Sequence, residues 1–254
     1  MGDRRILGVL GGMGPLASAE FMRALTLLTP AARDQDHIPT ILWSDPRVPD
    51  RTQARNHGGE DPLPALLRGI AGLEAAGCGA IAIPCNTAHG WFDAMQAATP
   101  LPILHIVDAA AADLQRQGVR GGRIGLMGTT ATLAMRLYQE RLGVECLTPS
   151  AAMMRSHVMP AVALVKANRV AEAYAPLAEV AQHLHAQGAD AVVLGCTEIP
   201  LGVAAGPPLG FPVVDTLAAL ARAAISWAMD ERELGTLAAT GGSLHDPGRR
   251  IPSP

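Results

Sequence analysis

The sequence predicts an α/β protein of two similar domains, each built on a mostly parallel sheet, related by a pseudo-twofold axis with a cleft between them. Three observations carry this. LEAAGCGAIAIPCNTAH, residues 73–89, aligns without a gap on LHAQGADAVVLGCTEIP, residues 184–200, pairing Leu73 with Leu184, Gly77 with Gly188 and Cys85 with Cys196. ILGVLGGMG, from Ile6, resembles RIGLMGTT, from Arg123, and the two offsets, 111 and 117 residues, nearly agree. Strand and helix patterns alternate along the chain, as parallel crossover units require. Two copies of one α/β unit would bring their strand ends together across a cleft, where open α/β sheets bind ligands.

In chain order, apolar runs bounded by turn residues predict strands at 5–11, 39–44, 80–84, 102–106, 122–127, 144–147, 191–195 and 212–214. Helical periodicity falls between them, at 16–28, 62–76, 88–98, 107–117, 132–142, 160–186 and 215–231. The first strand opens into the glycine loop GGMGP. Gly77 and Gly188 each stand where a helix ends, as C-caps do. Ala80 to Ile83 read as a strand buried on both faces, which Pro84 and Asn86 end. Residues 1–107 make the first half with 213–234 returning to it, 108–212 make the second, and from Gly235 a Gly, Pro and Ser-rich stretch without period reads as a disordered tail.

Composition narrows the function. At 254 residues the chain exceeds the roughly 100 to 150 residues of one common domain. Charged residues are 17% and the net charge is −3, which gives neither the basic stripe that nucleic acid needs nor a patch for an anionic membrane surface. No apolar run approaches the roughly 18 residues of a membrane span. The N-terminus reads as a first strand rather than a signal peptide, so the expected location is cytoplasmic. The cysteines, at 78, 85, 146 and 196, show neither C-x-x-C nor paired metal-ligand spacing. Lys166 is the single lysine beside nineteen arginines, so any mechanism that needs a lysine, such as an imine to pyridoxal phosphate, has one candidate.

Cys85 and Cys196 each end a buried strand and are followed by polar residues, Asn86 and Thr87 in one copy and Thr197 in the other. Asn86 and Thr87 can cap a helix starting there, whose N-terminus would favour a Cys85 thiolate. Cys78 and Cys146 lack polar followers and read as packing residues. His89, four residues after Cys85, suggests a metal pair, but no third ligand is evident and no metal is expected.

GVLGGMGPLASAEF, TPAARDQDH, SDPRVPDRT, GEDP, IPCNTAH and GCTEIP, in this order and spacing, resemble the cofactor-independent aspartate/glutamate racemase family, in its aspartate-racemase-like branch. The resemblance spans roughly residues 5 to 230. P-C-N-T-A-H together with G-C-T-E is its specific part, whereas GGMGP alone is common. It implies two similar α/β domains, an active site between them, a homodimer, a small amino-acid substrate, no cofactor, and Cys85 and Cys196 as catalytic thiols. Racemisation needs an acid and a base on opposite faces of Cα, and a thiol near ~8.5 can serve as either around neutral pH. The resemblance also implies substrate contacts from Met13, Arg51, Thr129, Thr132 and Lys166. Asn86, Thr87 and Thr197 are candidate donors to the substrate. Arg51 suits a carboxylate because its guanidinium offers two parallel hydrogen bonds.

The expected activity is interconversion of aspartate, or glutamate, enantiomers by two-thiol proton transfer. A broad-specificity racemase, or a cysteine-dependent decarboxylase or isomerase of the same superfamily, is the alternative. G-C-T-E in place of the G-C-T-H common in glutamate racemases tilts the choice toward aspartate or a broader range. Met135 and Arg136 stand where similar relatives carry small residues, and Met154 where a polar one is frequent, so the pocket would differ if these line it.

Overall fold

The computed structural model describes residues 5–229, which fold as two halves with the same plan. The first half runs β1 (Leu7–Gly11), α1 (Pro15–Leu28), β2 (Thr40–Ser44), α2 (Arg51–His57), α3 (Leu63–Ala75), β3 (Ala80–Ala82), α4 (Phe92–Ala97), β4 (Ile103–Leu104) and α5 (Ile106–Arg116). The second runs β5 (Arg123–Gly128), α6 (Thr130–Ala134), α7 (Leu137–Leu142), β6 (Glu145–Leu147), α8 (Ala151–Met153), a π turn at Met154–Val158, α9 (Met159–Lys166), α10 (Tyr174–Ala186), β7 (Ala191–Gly195), α11 (Ile199–Ala204), β8 (Val213–Asp215) and α12 (Thr216–Ala228).

All strand pairings are parallel, and the two sheets have matching orders, β2-β1-β3-β4 and β6-β5-β7-β8. β1 (LGVLG) and β7 (AVVLG) are buried at every residue, as strands covered on both faces by crossover helices must be. The aligned glycines, Gly77 and Gly188, take φ +81° and +94°, the left-handed caps that end α3 and α10 before β3 and β7. A core cluster runs through both halves, joining Leu7, Val9 and Phe21 to Ile124, Leu126 and Val193 through residues of α5 and α12. Outlying clusters fill the far side of each sheet.

Four expectations change. Residues 213–215 pair with β7 and form the edge of the second sheet rather than returning to the first half; it is α12 that packs against α1 and α5. The helix expected over 160–186 breaks after Lys166, where Asn168 takes φ 60°, and α10 starts late enough to hold Pro176 in its first turn, where the missing N–H costs no bond. The helix expected over 132–142 splits at Met135–Arg136, with Arg136 at φ 52°. Residues 88–98 begin as a 3-10 turn, Thr87–Trp91, before α4. The tail expected from Gly235 lies outside the described residues.

Candidate active site

The central strands of both sheets end at one place. Met13 follows β1, Cys85 follows β3, Thr129 follows β5 and Cys196 follows β7, so equivalent strand ends of the two halves converge. There they line a cavity of about 20 Å³ together with Asp50, Arg51, Thr52, Asn86, Thr87, Lys166, Thr197 and Glu198. That is room for one water and for no amino acid, so the site is closed. Larger hollows, of about 420, 550 and 730 Å³, lie elsewhere and hold none of these cysteines.

Both thiols are buried, Cys85 at 5% and Cys196 at 4% exposure. Cys196 Sγ donates to Glu198 Oε2 at 3.1 Å, and Thr197 Oγ1 donates to the same oxygen at 3.4 Å. Burial, then the Glu198 charge and this hydrogen bond, push the Cys196 thiol well above its ordinary value, against a smaller opposite pull from Lys166. Glu198 Oε1 is buried with no hydrogen-bond partner. Gly14 of the GGMGP loop lies against it, and a Cβ there would stand 3.3 Å from that oxygen. A buried carboxylate oxygen left free beside a thiol is placed to take a donor or a proton.

Asn86 and Thr87 do not cap a helix. Asn86 has helical backbone angles, its Nδ2 donates to Thr216 Oγ1 at 3.1 Å, and its Oδ1 accepts from Tyr138 Oη at 2.5 Å. Thr87 Oγ1 meets Thr129 Oγ1 at 3.0 Å and Thr132 Oγ1 at 2.9 Å, while Thr129 and Thr132 are 3.0 Å apart. This hydroxyl triangle crosses between the halves. Thr132 stands behind the cavity, and Thr129 also caps α6 by accepting from the Thr132 N–H. His89 is buried, with Nδ1 at 2.9 Å from the Cys85 carbonyl and Nε2 accepting from Ile106 N–H, so both ring nitrogens are engaged by backbone.

Arg51 opens α2, which Asp50 caps by accepting from Thr52 and Gln53 N–H at 2.8 Å each. The guanidinium donates to the carbonyls of Val48, Pro49 and Met13, and its Nε is buried without a partner, so the expected carboxylate fork is folded onto backbone in this closed state. Burial opposes ionisation at Asp50, but the Gln53 N–H and the charges of Arg51 and Lys166 outweigh it and hold the carboxyl below its ordinary range. Lys166 reaches the cavity from the last turn of α9.

Of the ten residues expected as catalytic or substrate-binding, all but Thr132 line this one cavity. Asp50, Thr52 and Glu198 were missed as site residues, although Asp50 and Thr52 flank Arg51 and Glu198 is the last letter of G-C-T-E. Met135 lines the separate 730 Å³ hollow, its Sδ lying where a Cβ on Gly90 would be, and Met154 packs in the outer core of the second half. Neither lines the cavity between the cysteines.

The plan of two matched parallel-sheet halves agrees with comparison to known proteins. Residues 10–224 match the family described as Asp/Glu/Hydantoin racemase. The chain belongs to that family. It is 25% identical to the broad specificity amino-acid racemase RacX of Bacillus subtilis over 228 residues, 87% of this chain and 97% of RacX. The structure superposes on Picrophilus torridus aspartate racemase with a TM-score of 0.77 and 33% identity, covering 88% and 94% of the two chains. For a putative Asp/Glu racemase from Yersinia pestis the TM-score is 0.69 at 28% identity, covering 89% and 100%.

Proposed function

We propose that this amino-acid racemase, an isomerase by family, works without a cofactor and inverts Cα by two-base proton transfer between Cys85 and Cys196, with aspartate as the preferred substrate. The observation that carries the reading is the equivalence of the two thiols: each follows the same strand of its sheet, and both line one closed cavity. An acid and a base on opposite sides of one carbon are what inversion requires. Cys85 as thiolate takes the proton of one enantiomer while Cys196 as thiol delivers to the other face, and the roles exchange for the reverse reaction. The mismatch between an amino-acid Cα–H and a thiol, on the order of 10 pK units or about 14 kcal/mol, falls to a dry site with aimed donors. Arg51 and Lys166 are the cations available for substrate carboxylates, and the Thr87, Thr129 and Thr197 hydroxyls the neutral donors.

Similarity to Picrophilus torridus aspartate racemase supports aspartate. A broader range is the second reading, supported by the likeness to RacX and by a lining in which two cations face two carboxylates, Asp50 and Glu198. The reading includes a cytoplasmic homodimer. Leu27, Leu42 and Trp43 stay exposed, the last two on the edge strand β2, where an uncovered edge invites a partner.

The test is a panel of amino-acid enantiomers in deuterium oxide, following Cα–H loss by NMR and inversion by chiral chromatography. Wild type should invert aspartate and label the product. Cys85→Ser and Cys196→Ser should each abolish inversion, while each keeps exchange with retention for only the enantiomer that faces the surviving thiol. Inversion persisting in either variant would overturn the two-thiol reading.

A further inference from the structure

Tyr138 is the largest fully buried side chain among the described residues, and it reaches the residues next to both thiols. It belongs to α7 of the second half. Its hydroxyl donates at 2.5 Å to Oδ1 of Asn86, the residue after Cys85 in the first half. Its ring lies against Gly195, the residue before Cys196: a Cβ on Gly195 would meet Tyr138 Cε2 at 3.2 Å. One rigid side chain therefore touches both neighbours of the proposed bases. A glycine at 195 is what allows the ring to come that close.

The contact extends into a directed chain. Asn86 Nδ2 donates to Thr216 Oγ1 at 3.1 Å, and Thr216 Oγ1 donates at 2.8 Å to the carbonyl of Leu194, two residues before Cys196. Tyr138 and Thr216 are fully buried and Asn86 is 2% exposed. Every donor in the chain points one way, so each hydroxyl proton is spent once and the Asn86 amide has a single orientation that satisfies both ends. Buried polar chains of this kind specify one arrangement, because breaking a link strands a group that water cannot reach.

We propose that Tyr138, through Asn86 and Thr216, is a positioning residue that sets the span between Cys85 and Cys196. This rests on the two-thiol reading above. Inversion needs both sulfurs at a set distance from one carbon, whereas substrate binding does not. A slackened span should therefore cost turnover more than affinity, and it should let a thiol that has removed the proton return a solvent-derived one to the same face before the opposite thiol delivers.

The experiment compares wild type, Tyr138→Phe, Thr216→Val and Thr216→Ser, with Cys85→Ser and Cys196→Ser alongside, in deuterium oxide. Folding is monitored by near-UV circular dichroism and thermal melting. Tyr138→Phe keeps the ring on Gly195 and removes the hydroxyl. It should lower kcat for inversion by roughly ten- to a hundredfold, the scale expected for a sub-ångström to ångström misplacement, with KM moving less than about threefold. The ratio of exchange with retention to inversion should rise by at least about fivefold for both enantiomers, a change of that size serving as the threshold. Thr216→Val should reproduce this and Thr216→Ser should restore wild-type behaviour, so that a Tyr138→Phe protein that failed to fold would leave the threonine pair to decide. Wild-type kcat and exchange ratio in a folded Tyr138→Phe or Thr216→Val protein would overturn the proposal, as would a kcat loss with an unchanged ratio. Inversion surviving in the cysteine variants would instead sink the two-thiol reading itself.

Discussion

Glu198 accepts the Cys196 thiol hydrogen at 3.1 Å, and this contact divides the labour between the two proposed bases. Burial and the adjacent carboxylate keep Cys196 protonated at neutral pH, ready to act as an acid. To act as a base it must first lose that proton, and Glu198 Oε2 is the acceptor in contact. Glu198→Gln keeps the shape and removes the proton acceptor. Because enantiomers are equal in energy, kcat/KM must fall equally in both directions, and a loss on the order of 10²–10⁴-fold is expected. The asymmetry should appear in exchange with retention, which should be lost preferentially for the enantiomer facing Cys196. Equal effects on exchange of both enantiomers would assign Glu198 to structure rather than proton transfer. Cys196 and Glu198 were legible as letters of G-C-T-E, but their pairing was not. It depends on a side chain turning back onto the residue two before it, after a strand end that sets Glu198 at helical angles, and no motif states that direction. Arg51 was legible as a cation of the site, while its engagement by three carbonyls belongs to the closed state and to tertiary contacts with the Met13 loop.

The first turn of α5 is where an element depends on protonation. His105 caps it by accepting from Val107 N–H at 3.1 Å, and His89 Nε2 accepts from Ile106 N–H at 3.2 Å. Both rings must be neutral to accept. Burial foremost brings His89 down to about 4, and burial with the neighbouring His89 charge brings His105 to about 3. The unfolded chain takes up these protons near the ordinary 6.5, so the stability they lend is complete above that pH and drains away as pH falls toward 4. For His89 the gap corresponds to about 3 kcal/mol. Urea unfolding midpoints should hold steady from pH 8 to 7 and fall steeply between pH 6 and 4.5, and His89→Gln should flatten much of that fall while lowering stability at pH 7. An unchanged slope in the variant would remove His89 from the account. The strands were readable from local apolar runs, but β8's sheet was not, since a three-residue strand carries no mark of its partner. Helix α2 was readable and went unread: Asp50 as N-cap and Gly58 at φ +65° as C-cap bracket it. The break after Lys166 was likewise signalled by Asn168 and Pro176, against an apolar period that ran on through both.

At the scale of the molecule, the two halves share a continuous apolar core through α5 and α12, so a wide hinge between sheets would expose Leu7, Phe21, Leu126 and Leu220 to water. Each such side chain costs about 1.5–3 kcal/mol to uncover, which makes separation of the halves an expensive way to admit substrate. Yet the cavity between the cysteines holds about 20 Å³, and something must move. Helix α2 is the element placed to do so. It buries none of its own residues, it begins with Arg51 at the cavity wall, and it reaches the second half through an exposed hydrogen bond, Asn56 Nδ2 to Thr130 Oγ1 at 3.1 Å. Exposed hydrogen bonds of this kind contribute roughly 0.5–1.5 kcal/mol, an amount that thermal opening supplies often. Its swing would free the Arg51 guanidinium from the Val48, Pro49 and Met13 carbonyls to grip a carboxylate. Hydrogen exchange read by mass spectrometry should therefore show residues 51–57 exchanging far faster than α12 in the free protein, and slowing when racemic aspartate, already at equilibrium, saturates the site. Asn56→Ala should speed exchange in the free protein and raise KM by a few-fold, with kcat changed less. Protection of α2 equal to that of α12 without substrate would mean that the entrance lies elsewhere around the cavity.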